Sequence, residues 1–186
     1  MTDYAMVLHQ QLARDGAAGE AYPSPLVPTE AMALFHEGLE HFQAGDPRAA
    51  LTAFSGSVLK APEFGEAHIF LGLAHALVSE IYPAFDHLEL AAQLQPDSFA
   101  AHFTLAQLNF KLRIPQRGYD AAREALRCVR TVDQRALLTQ LLKEERARER
   151  NGIARPWFNK PFSTRALVLA GSGLAAALVA LLIHVR

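Results

Sequence analysis

Between residues 31 and 132 the chain repeats itself three times at a period of 34 residues, without a gap: 31–64, 65–98 and 99–132. A fixed period of this length restricts the fold more than any composition does. Each copy must be one supersecondary unit, and it buries its apolar face only by stacking on its neighbours. Three columns of small residues keep the same phase: Gly38, Gly72 and Ala106; Ala50, Ala84 and Gly118; Ser57, Ala91 and Ala125. Small side chains at a crossing set how closely two helices pack. Phe54 and Leu88 are placed to fill the space beside them, whereas Ala122 fills it poorly in the third copy.

The joints follow helix-end chemistry. Asp46-Pro47 reads as a cap followed by proline at the first helical position. Pro83 and Pro115 stand near the start of the second helix of their copies, and Pro62 and Pro96 close that helix, with Arg130 at the same place in the third copy. This pattern resembles the tetratricopeptide repeat over residues 31–132. The resemblance implies an all-α helix-turn-helix solenoid whose first helices line a concave, peptide-binding groove. Two family positions depart from the pattern: the usual large residue at the fourth place is Leu34, then His68 and His102, and the usual tyrosine at the eleventh is His41, His75 and Asn109.

The next segment, 133–150, is expected to be a capping helix. Thr131 and Gln134 form a capping box, and Asn151-Gly152 reads as the stop. Ala136, Leu137, Leu141 and Leu142 are predicted to face inward, leaving a polar back of the kind that repeat arrays need at their ends. Residues 166–185 carry no formal charge. As a helix they rise about 30 Å, the thickness of the hydrocarbon core. Six leucines, three valines and one isoleucine there favour insertion by roughly 5 kcal/mol. A single transmembrane helix is therefore expected, in the manner of a tail anchor, after a basic and aromatic linker at 151–165. Arg155, Lys160 and Arg165 precede the span and only Arg186 follows it, so the positive-inside rule keeps the N-terminal domain in the cytoplasm. Arginine and alanine abundance suggests a bacterial inner membrane. Trp157, Phe158 and Phe162, with the three basic residues, are candidate contacts to the membrane interface. The small-xxx-small pairs Gly171–Ala175 and Gly173–Ala177 would allow a weak homodimer.

On the first helix of each copy a second apolar stripe runs at helical spacing: Phe35, Leu39 and Phe42; Ile69, Leu73 and Ala76; Phe103, Gln107 and Phe110. These nine residues are the candidate partner-binding groove. The family's clamp for acidic C-terminal tails implies lysine, asparagine and arginine at places held here by Phe35, Leu39, Phe70, Ala100 and Thr104. The groove is accordingly expected to take an apolar segment rather than an acidic chaperone tail. Exposed phenylalanines need a cover. That cover is either another protein or the N-terminal arm, 1–30, whose stretch AYPSPLVP at 21–28 is extended by three prolines. A disordered linker following a short helix near 3–14 is the simpler reading of that arm. A self-plugged repeat domain on a tail anchor also looks like the organisation of mitochondrial fission adaptors.

Nothing in the sequence calls for a reaction. The N-terminal stretch MTDYAMVLHQQLARDG lacks the apolar core of a secretory signal. Cys128 is the single cysteine, so no intramolecular disulfide or cysteine-based zinc site is expected. Histidines recur at matched repeat places, but such places lie about 10 Å apart, too far to share a metal. A net charge of −1 identifies no partner, and no nucleic-acid partner is expected. The expectation is a membrane-anchored adaptor without cofactor, metal or small-molecule substrate, binding a peptide or helix segment of a protein. The alternative is a structural subunit that uses the convex face.

Overall fold

Three times the backbone writes the same helix, turn and helix. The structure, a computed structural model, describes residues 27–153. Its hairpins are α1 (Thr29–Gln43) with α2 (Pro47–Lys60), α3 (Gly65–Leu77) with α4 (Ile81–Leu94), and α5 (Phe99–Lys111) with α6 (Pro115–Arg127), followed by α7 (Val132–Ile153). Among the described residues there is no strand. Contacts divide the chain into two units, Met1–Glu145 and Arg146–Arg186. The three hairpins and most of α7 belong to the first. Of the second, only the end of α7 is described.

The hairpin turns are chemically different and geometrically alike. Asp46 N donates to His41 O at 2.9 Å, Glu80 N to His75 O at 2.9 Å, and Ile114 N to Asn109 O at 2.9 Å. Each is the wide bond of a Schellman ending, which requires a left-handed residue at the turn. Gly45, Ser79 and Arg113 supply it, with φ of 79°, 67° and 63°. They occupy the same place in their copies, although only one is glycine. The starts of the second helices are individual. Asp46 Oδ1 caps α2 by accepting from Arg48 N and Ala49 N, with Pro47 behind it. Pro115 opens α6 without a side-chain cap.

Inside the hairpins all nine members of the small-residue columns are buried. A methyl group on Gly38 would come within 2.5 Å of the Phe54 ring, and one on Gly72 within 2.7 Å of Leu88 and 3.0 Å of the Ala84 carbonyl. The third copy reverses the arrangement. Its glycine is Gly118 on the second helix, and the group 2.5 Å from a methyl there is Phe110, on the first helix. Phe110 also meets Tyr119 edge-on at 5.0 Å. Ala122 therefore needs no bulk. Ser57, the polar member of its column, gives its hydroxyl to Ala31 O at 2.8 Å. The stack between the first two copies is aromatic: Phe70 lies 5.6 Å from Phe35, 6.0 Å from Phe42 and 5.6 Å from Phe54, and within the first copy Phe64 lies 4.9 Å from Phe35.

The capping box forms as the sequence predicts. Gln134 Oε1 accepts from Thr131 N at 3.3 Å and from Arg130 N at 2.8 Å, while Thr131 Oγ1 accepts from Gln134 N at 3.2 Å. Two details of α7 differ from expectation. Its inward face is Gln134, Leu138, Leu141 and Glu145; Ala136 is exposed and Leu137 and Leu142 are half-buried. Spacing by four, three and four residues defines that face, and hydrophobicity alone misses its two polar members. The helix also continues through Asn151 and Gly152 to Ile153 instead of stopping at that pair.

Candidate partner-binding face

The first helices α1, α3 and α5 carry the nine expected groove residues, and packing buries most of them. Phe35, Phe42, Ile69, Leu73, Phe103 and Phe110 are buried, and Leu39, Ala76 and Gln107 are half-buried. The apolar stripe thus serves first as a helix–helix seam. Phe35 and Phe42 close on Phe70 of the next hairpin, whereas Phe103 stacks on Phe99 of its own helix at 5.2 Å. Phe110 turns to its own second helix, over Gly118. Leu39, Ala76 and Gln107 are left as the surface that a partner could touch.

Where α3 ends against α5 this face deepens into a cavity of about 310 Å³. Ala76, Leu77, Ile81, Leu108 and Leu112 line it, with Ser79 and Lys111 alongside. It is apolar inside and has one cation at hand, dimensions suited to an aliphatic or aromatic side chain. Ala76 joins this cavity to the stripe. The sequence reading missed the cavity because Leu77, Leu108 and Leu112 fall outside the stripe's spacing and converge only once the turn at Ser79 has formed.

At the five places of the acidic-tail clamp the face offers no cation. Phe35, Phe70, Ala100 and Thr104 are buried, and the Thr104 hydroxyl is engaged with Ala100 O at 2.8 Å. The fourth-place histidines, which depart from the family pattern, have a structural task. His68 Nε2 lies 3.0 Å from Pro62 O, and His102 Nε2 lies 2.8 Å from Pro96 O. Each ring donates to the carbonyl of the proline that follows the preceding helix. Cys128 Sγ reaches Pro96 O at 3.5 Å, and burial raises its thiol above the usual range, with Asp97 and Glu124 acting in the same direction. It is held as a neutral thiol.

Among the described residues no three histidine, cysteine or acidic side chains are grouped to hold a metal ion, and no helix is long and apolar enough to cross a membrane. The interface residues Arg155, Trp157, Phe158, Lys160, Phe162 and Arg165, the span 166–185 and the arm through residue 26 lie outside the described residues.

No family model matches the sequence, and no curated protein does. Solved structures do match. The TPR2B domain of yeast Sti1, in its complex with pHsp70, aligns with a TM-score of 0.61 at 18% identity, over 65% of this chain and 99% of that one. The CopN–Scc3 complex gives 0.55 at 14% identity over 77% and 99%, and MamA gives 0.51 at 18% over 69% and 83%. The chain has a tetratricopeptide-like helical-repeat fold.

Proposed function

We propose that this chain is a protein-interaction adaptor that holds an apolar segment of a partner on its first-helix face and is anchored in a membrane by residues 166–185. The observation that carries the reading is the apolar cavity of about 310 Å³ continuous with Ala76 on that face. The fold supports it too: the Sti1 and CopN–Scc3 structures are complexes of similar folds with other proteins. The absence of cations at the clamp places makes the partner's segment apolar rather than an acidic tail. The anchor rests on the length and uniform hydrophobicity of 166–185. Confinement at a membrane raises the effective concentration of the face for partners there. The role is binding, without catalysis.

The test uses the full chain, purified from detergent-extracted membranes. A protein that co-purifies with the natural chain should be lost from Ala76→Trp, which fills the cavity, while helicity and melting stay unchanged. Equal recovery from both chains would refute the face. Release of the protein from membranes by carbonate in its natural form would refute the anchor. A second reading, support of a larger complex through the second helices, is favoured by Leu59 of α2 at 81% exposure and Leu126 of α6 at 51%. Loss of the partner from a Leu59→Ser, Leu126→Ser chain, with Ala76→Trp silent, would select it.

A further inference from the structure

Three histidines of the second copy meet in a way that period alone does not bring about. His68 and His75 come from α3 and His87 from α4. His68 Nδ1 and His87 Nδ1 are 3.1 Å apart. The His87 ring lies 5.3 Å from that of His68 and is stacked on His75 at 5.4 Å. The second ring nitrogen of His68 faces Pro62 O, and His75 Nδ1 lies 2.7 Å from Glu80 Oε2.

These contacts fix the protons. A carbonyl only accepts, so His68 carries its hydrogen on Nε2 and offers a lone pair at Nδ1. His87 must then donate from Nδ1, which leaves its Nε2 as the free base. A proton added to His87 enters at Nε2 and places a cation against two other imidazoles. A single added proton leaves one N–H between the two Nδ1 atoms, whichever ring carries the charge, and only a second proton, charging both rings, sets two N–H groups facing each other across 3.1 Å. The first proton charges a half-buried cluster, which opposes the closed hairpin, and the second removes its hydrogen bond.

We propose that His68, His75 and His87 form a proton-operated joint, which holds α3 against α4 while His68 and His87 are neutral and loosens the second hairpin on acidification. The surroundings agree. Burial first, then His68 and His75, push His87 down to about 4, with Asp86 alone opposing. Burial lowers His68, and its bond to Pro62 opposes the shift. Glu80 is engaged by His75. From α5, His102 is bound to Pro96 O. The sign follows from linkage: the unfolded chain takes up these protons near the ordinary histidine value and the folded chain only lower, so stability is full above that value and falls as pH drops toward about 4.

The third copy is an internal control. His102 repeats the bond of His68 to a proline carbonyl, but Asn109 and Ala121 stand where His75 and His87 would be. The test is hydrogen exchange of the full chain in detergent micelles at about pH 7.5 and about pH 5, corrected for intrinsic rates. Opening of residues 65–94 should rise roughly 30-fold on account of His87 alone, with 99–127 little changed. His87→Asn, which keeps an N–H near the same place and cannot titrate there, should abolish most of that response. Equal loosening of all three hairpins, or an unchanged response in the variant, would overturn the joint. If the variant does not fold, ring titration of the natural chain by NMR decides. A His87 midpoint near the ordinary histidine value would overturn the proposal, and one far below it would sustain it.

Discussion

The first and third hairpins share a backbone and fill it from opposite sides. In the first, Gly38 sits on the leading helix and Phe54 comes across from the following one; in the third, Gly118 sits on the following helix and Phe110 comes across from the leading one. The bonds of the turn fall at the same places in both. A repeat therefore prescribes a space between its helices and leaves open which helix fills it. For this reason the absence of bulk at Ala122 is no defect, and Phe110 belongs to the interior rather than to the partner face.

That comparison can be broken most forcefully at Phe110. Phe110→Ala should lower stability by about 3–5 kcal/mol in urea unfolding, the cost of emptying a buried aromatic site. Gln107→Ala, one turn earlier on the open side, should do almost nothing. Ala122→Phe restores bulk where the other copies carry it, yet it should destabilise by about 1–3 kcal/mol because Phe110 already occupies the space. Gly118→Ala and Phe110→Leu should each be unfavourable, while their combination costs less than the sum by about 1 kcal/mol, which a double-mutant cycle reads directly. The smallest effect is a gain. Arg113→Gly relieves a left-handed residue and should stabilise by about 0.5–1 kcal/mol. A loss there would mean that the Arg113 side chain contributes more than the turn's strain costs.

Much of this was legible from residue type at a fixed period. The columns at Gly38, Ala50 and Ser57 and the ends marked by Asp46, Pro62 and Thr131 all carry their reason in the side chain. What was hidden had no residue type of its own. The left-handed turn place holds glycine, serine and arginine in the three copies, so composition could not mark it. The inward face of α7 includes Gln134 and Glu145, which an apolar count assigns to solvent. Spacing at four and three residues describes a groove and a helix–helix seam equally well, so Phe35, Phe42, Ile69, Leu73 and Phe103 could not be assigned between them without neighbours. The period relates His68 and His75 to residues of other copies, whereas their neighbour is His87, on the other helix of their own copy.

The central functional claim is that the surface around Ala76 receives another protein. A photoreactive amino acid at position 76, illuminated in native membranes and read by mass spectrometry, addresses it most directly. The account predicts a crosslink to an apolar segment of a different protein. A crosslink confined to this chain's own residues, or none above that from an exposed position such as Glu40, would contradict it.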